Sequence, residues 1–212
     1  MELIEKLNWR YAVKRMTGEK VPQQKVDAVL EAARLSASSR GLQPYKIIVV
    51  EDETTKKLLQ PAAYNQPQIV ESSHLLVFAA FENISAQDIA DYITLQATVK
   101  NVAPETLSVF KEGLETFLLP RTAEENFNWA ARQSYIALGT AIVAAANEAV
   151  DASPMEGFNP AAFDDILGLK AAGLKSVALL ALGYRDEAND FLAKAPKVRK
   201  DMKDFVVHFP AA

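Results

Sequence analysis

The chain has 212 residues, half of them apolar, and carries a formal net charge of −4 with a pI near 5.3. This length and composition support one sizeable hydrophobic core, and the acidic balance without a basic run argues against a nucleic-acid-binding surface. The absence of cysteine excludes a disulfide framework, a thiolate metal site and a cysteine nucleophile.

The first half of the chain predicts helices alternating with short strands. Apolar residues recurring every three or four positions predict helices over residues 2–13 and 19–37, and a capped helix from residue 51 closes near Pro61. Apolar runs predict strands over 46–50 and 73–81, and the second lacks alternation, as expected of a strand buried on both faces. Residues 85–119 are helical in pattern and broken at Pro104.

A long helix is predicted over 122–149, where Thr122 and Glu125 form a capping box. It is apolar nearly all round, so it must be buried on every side, and a second subunit is one way to cover it. A turn at 153–160, a short helix over 164–170 and strands over 175–184 and 205–209 complete the pattern. These elements place the chain in the α/β or α+β class with a three-layer core.

The sequence gives little support for a targeting segment or for a metal site. No apolar stretch approaches the roughly 18 residues of a membrane span, and the N-terminal segment MELIEKLNWRY is unlike a secretory signal, so a cytoplasmic protein without a membrane partner is expected. The two histidines, His74 and His208, have no ligand partner at a short spacing, which argues against a metal site and histidine catalysis. If the chain is an enzyme, a bound cofactor is expected to carry the chemistry.

Basic residues cluster at the ends of predicted elements: Arg10 with Lys14 and Arg15, Arg40 behind two serines, and Lys197 with Arg199. Each group alone is typical of a solvated surface. Together with the hydroxyls of Ser38 and Ser39, they have the composition of a phosphate site. No G-x-G-x-x-G or P-loop pattern is present, so neither a dinucleotide fold nor a P-loop NTPase is supported.

Seven motifs in fixed order resemble the FMN-dependent nitroreductase family, closest to its oxygen-insensitive nitroreductase and dihydropteridine reductase branch. They are RYAVK, SSRGLQPYKIIVV, YNQPQ, WAARQSYIALG, PMEGF, GLK and APKVR. The resemblance covers nearly the whole chain and is weakest over 85–120. It implies one nitroreductase-like domain over residues 1–212, with an α+β, three-layer α/β/α fold whose central mixed sheet is flanked by helices. It also implies an intertwined homodimer with two FMN molecules at the subunit interface.

The resemblance further implies cofactor contacts. The residues matching those that bind the FMN phosphate are Arg10, Lys197 and Arg199. Those matching contacts around the flavin ring are Lys14, near N1 and O2, and the stretch Pro154, Met155, Glu156 and Gly157, with the Glu156 backbone N–H at flavin N5. Polar contacts to the flavin and ribityl chain match Asn65 and Gln133, and the partner subunit's loop matches Ser38 and Ser39. The substrate channel matches Tyr64, with Phe110 or Phe117 as further walls.

Three residues depart from the family pattern. Ala12 stands where relatives usually have a hydroxyl residue, and Gly41 replaces a common asparagine beside the serine pair. Gln68 occupies a position where close relatives have a lysine near the flavin. The loss of that cation should leave the reduced, anionic flavin less stabilised.

The resemblance implies an oxidoreductase in which NAD(P)H passes hydride to flavin N5 and a quinone, nitroaromatic or pteridine then takes it up, in a ping-pong cycle. Lys14 gives electrostatic support and Glu156 backbone support. One alternative is a protein that stores, delivers or senses FMN without turnover, which would bind flavin that NAD(P)H does not bleach. Another is a helical protein–protein interaction module, which would be colourless and indifferent to FMN.

Overall fold

The computed structural model describes residues 2–209. Its helices are α1 (Leu3–Trp9), α2 (Gln23–Arg34), α3 (Glu53–Ala62), α4 (Gln68–Glu71), α5 (Ala86–Lys100), α6 (Ser108–Leu118), α7 (Ala123–Asn147), α8 (Pro160–Ile166) and α9 (Met202–Phe205). Its strands are β1 (Tyr45–Val50), β2 (His74–Phe81), β3 (Asp151–Met155) and β4 (Leu174–Gly183). Short 3-10 turns lie at Ser39–Gly41, Pro104–Leu107 and Leu169–Ala172.

The four strands form one sheet in the order β1-β2-β4-β3, and every pairing is antiparallel. The prediction of a mixed sheet is therefore wrong for the part of the chain that the structure describes. Strands that alternate with helices suggest parallel pairing. Parallel neighbours are usually joined by a crossover that contains one helix. Here two helical segments separate β1 from β2, and two separate β3 from β4, and each of these strand pairs is antiparallel.

Helices cover both faces of the sheet, which confirms the three-layer α+β architecture. On one face, α2 and α7 pack Val29 and Ala137 against strand residues such as Phe78. On the other face, Leu59 of α3 and Phe163 of α8 belong to a second buried cluster with the sheet. Because β2 and β4 have a helix layer on each side, both are almost completely buried, which explains their unbroken apolar sequences.

The structure has one strand that the sequence did not predict and lacks one that it did. β3 lies within a segment that was predicted to be mostly a turn, because Pro154 argues against a strand; the strand is at the edge of the sheet, where proline is tolerated. The strand predicted over 205–209 is wrong: α9 ends at Phe205 and the following residues have no pairing partner in the described chain. The side chains of Phe205, Val207 and Phe209 are 73, 78 and 90% exposed.

The longest helix, α7, begins where the sequence predicts. The Thr122 hydroxyl accepts a hydrogen bond from the Glu125 backbone N–H at 3.2 Å, and the Glu125 carboxylate accepts one from the Thr122 N–H at 2.8 Å, which completes the capping box. One side of α7 remains uncovered within the chain, where Ile136 is 45% exposed. No helix among residues 2–209 is long and apolar enough to cross a membrane.

Candidate functional site

Three cationic side chains predicted to bind phosphate share one cavity of about 360 Å³. Arg10 enters it directly after α1, where the backbone leaves the helix (φ −71°, ψ 143°), and Lys197 and Arg199 come from the segment before α9. Ala12 lines the same cavity. The structure therefore brings together residues nearly 190 positions apart in the chain, as the phosphate-site prediction requires.

These cations lack counter-charges among the described residues. The buried Nε of Arg10 has no hydrogen-bond partner, and none of the three side chains forms a salt bridge. Burial and the nearby Arg199 lower the pKa of Arg10, and burial together with Arg10 and Arg199 lowers the pKa of Lys197. A cavity that crowds like charges and leaves a buried donor unpaired has the electrostatics of a phosphate-binding site.

Lys197 also fixes the position of this loop. Its ammonium group donates to the carbonyl oxygen of Leu7 at 2.6 Å and to that of Arg10. Both carbonyls belong to the C-terminal end of α1 and the residue that follows it, where a cation is favourable because the last helical carbonyls have no intrahelical donor. Lys197 thus stabilises the turn that directs Arg10 into the cavity.

The carboxylate of Asp190 holds the next stretch of the same loop. It accepts hydrogen bonds from the backbone N–H of Lys14 at 2.7 Å and of Leu192 at 2.8 Å, and from the Tyr11 hydroxyl at 3.2 Å. Burial by itself would raise the pKa of Asp190, but hydrogen bonds from the Lys14, Leu192 and Arg15 N–H groups outweigh it and the pKa is lowered. Asp190 therefore links the loop that carries Arg10 and Lys14 to the segment that leads to Lys197.

A buried ion pair supports the floor of the cavity. The Arg185 guanidinium pairs with Asp151 of β3, with Nη2 and Oδ1 2.6 Å apart, and its central carbon lies 4.3 Å from the ring centroid of Trp9 and 4.7 Å from that of Tyr11. The side chain of Asp151 is only 3% exposed. The pair joins the edge of the sheet to α1, so that the cavity rests on the rigid core.

The serine loop is ordered by Gln133 of α7. The Ser39 backbone N–H donates to Gln133 Oε1 at 2.7 Å, and the Ser38 hydroxyl accepts from the Gln43 N–H at 3.1 Å. Gly41 has φ +70°, a conformation that favours glycine, and a Cβ there would lie 2.5 Å from the Tyr92 hydroxyl, so the Tyr92 side chain would have to shift. Within the chain, the Gln133 side chain therefore anchors the serine loop to α7.

The residues predicted along the flavin ring form a separate group. The Gln66 side chain donates to the carbonyl oxygens of Ala63 at 3.1 Å and Gly157 at 2.6 Å, which ties the loop containing Tyr64 and Asn65 to the turn after β3. Glu156 in this turn accepts a hydrogen bond from the Tyr135 hydroxyl at 2.8 Å. Burial and this hydrogen bond raise the pKa of Tyr135 to about 12, so the hydroxyl stays protonated at neutral pH.

The three predicted channel residues lie in different surroundings. Tyr64 is exposed and has a left-handed backbone (φ +55°), as does Asn65 (φ +57°). Phe110 and Phe117 of α6 are partly buried against a small core of their own, built from α5, α6 and Trp129. The lining of the cationic cavity contains neither these aromatic residues nor the serine loop. Within the single chain, the predicted contact residues therefore form three groups: those of the cationic cavity, those of the serine loop, and those of the loop and turn that Gln66 joins.

Sequence analysis missed the residues that position the site: Gln66, Glu71, Tyr135, Asp151, Arg185 and Asp190. Glu71 accepts hydrogen bonds from Arg15 Nε at 2.9 Å and from the Met16 N–H at 2.9 Å, and so fixes the far end of the loop that Asp190 holds. None of these residues belongs to a periodic pattern, and only Gln66 and Tyr135 fall within motifs used for the resemblance. Among residues 2–209, no three histidine or carboxylate side chains are grouped to hold a metal ion.

Comparison with known proteins gives one consistent result. A model of the Nitroreductase family matches residues 7–184. The Major NAD(P)H-flavin oxidoreductase of Aliivibrio fischeri is 30% identical over 213 residues, covering 96% of this chain and 97% of that protein.

Two solved structures share the fold. A Bacillus subtilis protein assigned as a nitroreductase superposes with a TM-score of 0.85 at 21% identity, over 97% of this chain and 98% of that one. An Exiguobacterium sibiricum protein, likewise assigned and solved in complex with FMN, gives a TM-score of 0.82 at 20% identity, over 99% and 98% of the two chains.

Proposed function

Because this chain belongs to the nitroreductase family, we propose that it is an FMN-dependent oxidoreductase that takes electrons from NAD(P)H and reduces a small acceptor of the quinone, nitroaromatic or pteridine type. Bound FMN would supply the redox chemistry, a hydride transfer from NAD(P)H to the acceptor at one site in a ping-pong cycle. The observation that carries the proposal is the cavity of unpaired cations around the orphaned Arg10 Nε.

The residues present fit the cofactor. Arg10, Lys197 and Arg199 hold the dianionic phosphate, which would neutralise their mutual repulsion and give the Arg10 Nε an acceptor. Lys14 lies in the loop fixed by Asp190, and its ammonium stabilises negative charge on the reduced ring. The stretch from Pro154 to Gly157 would face the ring, and the Tyr135 hydrogen bond to Glu156 keeps the end of this stretch in place.

We propose that the site is completed in a homodimer, in which Ser38 and Ser39 reach the cofactor of the partner. The exposed apolar residues Ile136 and Val143 on α7, and Phe205 and Phe209 in the tail, support such an interface because their area is uncovered within one chain. Analytical ultracentrifugation is expected to give a mass about twice the 23.3 kDa of the chain. A monomer at micromolar concentration would contradict the shared site.

The proposal is tested by an ultraviolet–visible spectrum of the purified protein under anaerobic conditions. We expect oxidised-flavin bands that bleach when NADH or NADPH is added and return when a quinone is added, and the faster donor identifies the coenzyme. Flavin bands that NAD(P)H does not bleach would instead identify a carrier or sensor of FMN. A colourless protein that takes up no added FMN would overturn the proposal altogether.

Replacing Gln68 by lysine is expected to raise the reduction potential of the bound flavin. Gln68 begins α4 and is buried, and its Oε1 has no hydrogen-bond partner in the described chain, so a cation there would act in a weakly screened environment. The rise is expected to be on the order of tens of millivolts, since about 30 mV corresponds to about 1.4 kcal/mol for a two-electron couple.

A redox titration of the two FMN-loaded proteins measures the difference. The matched control is Gln24→Lys, which adds the same charge at an exposed position of α2. Equal potentials in wild type and Gln68→Lys would contradict the assignment of Gln68 to the flavin site.

A further inference from the structure

Two arginines converge on one aromatic ring outside the cationic cavity. The guanidinium carbon of Arg40 lies 4.7 Å from the ring centroid of Phe117, and that of Arg121 lies 3.8 Å from the same centroid. Arg40 follows the serine pair and Arg121 precedes α7, so the cluster joins the serine loop to the helical excursion formed by α5 and α6. Cation–π contact orders the two guanidinium groups without neutralising them.

Neither guanidinium has an anionic partner in the described part of the chain. Three other arginines do: Arg15 pairs with Glu71, Arg34 with Glu31 and Arg185 with Asp151. The side chains of Arg40 and Arg121 make no hydrogen bond to any residue from 2 to 209, and all five N–H donors of each remain available. Two ordered guanidinium groups that lie close together without a salt-bridge partner form a binding site for a polyanion.

The carboxylate of Glu125, which lines a cavity next to Arg121, is already engaged. A cavity of about 280 Å³ next to Arg121 is lined also by Asn128, Arg132 and Glu125. Glu125 accepts the Thr122 hydrogen bonds of the α7 capping box, and these bonds, with a smaller contribution from the nearby charge of Arg121, lower its pKa. Its carboxylate therefore caps the helix, while Arg132 adds a third unpaired cation to the surface.

The backbone at Arg40 is held in a conformation that non-glycine residues rarely adopt. Its φ is +58°, and the Tyr92 hydroxyl of α5 donates to its carbonyl oxygen at 2.8 Å. This conformation turns the side chain across α6, where it lies near Gly113 as well as Phe117. Strain of this kind persists where the surrounding structure over-determines it, often at ligand sites.

We propose that Arg40 and Arg121 bind the phosphate groups of the nicotinamide coenzyme while its ring lies over the flavin. This inference rests on the proposed oxidoreductase function and adds the residues that recognise the reductant. The cofactor phosphate has its own cations in the separate cavity of Arg10, and a quinone or nitroaromatic acceptor carries no phosphate, so the coenzyme is the polyanionic ligand that the reaction requires. The serine loop places Arg40 next to residues expected at the flavin.

The test combines binding and kinetics on the FMN-loaded protein. Arg40→Gln removes the charge at a fixed backbone, and Arg34→Gln is the matched control because it removes an exposed arginine charge from α2. Calorimetry measures the affinity for NADP⁺ and NAD⁺, which cannot reduce the flavin. Steady-state rates are compared for NADPH and for 1-benzyl-1,4-dihydronicotinamide, a hydride donor without phosphate.

We expect Arg40→Gln to weaken NADP⁺ binding about tenfold or more and to raise the KM for NADPH in proportion, with kcat within about twofold. The KM for the benzyl donor should stay unchanged in every variant. Weakening of NAD⁺ and NADP⁺ alike would assign the cluster to the diphosphate, and weakening of NADP⁺ alone to the 2′-phosphate.

Equal behaviour of Arg40→Gln and Arg34→Gln, or a parallel rise in KM for the benzyl donor, would overturn the inference and leave the oxidoreductase function standing. A wild-type protein that oxidises neither donor would instead refute the function itself.

Discussion

Replacing Arg10 by alanine is expected to weaken FMN binding about 100-fold, because each charge-assisted hydrogen bond to the phosphate contributes about 1.5–3 kcal/mol and about 1.4 kcal/mol corresponds to a tenfold change in affinity. Arg10 lies half-buried in the cationic cavity with its Nε unpaired, so its substitution removes a charged donor from the predicted phosphate site. Lys197→Ala should act in the same direction.

The apoprotein of the Arg10→Ala variant is expected to remain folded. Burial and neighbouring cations lower the pKa values of Arg10 and Lys197, which means that the empty cavity disfavours their charged forms. Removing Arg10 relieves this repulsion, so the Tm of the apoprotein should be unchanged or higher, whereas the rise in Tm on adding FMN should largely disappear.

Fluorescence titration with FMN and thermal unfolding of the apo and loaded proteins measure both effects. Lys203→Ala, at an exposed position on α9, is the matched control and should bind FMN like the wild type. Equal affinities in Arg10→Ala, Lys197→Ala and Lys203→Ala would contradict the phosphate-site assignment.

Asp190→Ala is expected to lower the free energy of unfolding by about 2–6 kcal/mol, because it leaves the partly buried N–H groups of Lys14 and Leu192 without an acceptor at about 1–3 kcal/mol each. FMN binding should weaken as well, since Asp190 connects the loop of Arg10 and Lys14 to the segment before Lys197. Asp204→Ala, on the exposed face of α9, should change neither property.

The pH dependence separates this role from simple packing. The folded-state pKa of Asp190 lies below its ordinary value of 3.8, so its contribution is present above pH 3.8 and is lost as the pH falls through the lowered pKa. Urea unfolding of wild type and Asp190→Asn from neutral pH to below pH 3.8 measures this. The two stabilities should converge at the acid end; a constant difference would show that the carboxylate charge is not what stabilises the loop.

The fold class, the family and most helices were predictable because they depend on local patterns. The capping box at Thr122, the break at Pro104 and the unbroken apolar runs of β2 and β4 each specify an element from neighbouring residues. The ordered motifs predicted the nitroreductase family, which the match over residues 7–184 confirms. The prediction failed where pairing partners decide: β3 contains a proline tolerated at an edge, and residues 205–209 pair with no strand in the part of the chain from 2 to 209.

The sequence by itself determined which side chains are available for phosphate and flavin chemistry, since charge and hydrogen-bonding capacity belong to residue type. Only the tertiary structure decided their arrangement. Arg10 meets Lys197 in one cavity because Asp190 and the Arg185–Asp151 pair fold distant segments together, and Arg40 meets Arg121 over Phe117 because Tyr92 holds a left-handed backbone. These contacts join residues that are far apart in the chain, and local sequence patterns do not predict which distant residues come into contact.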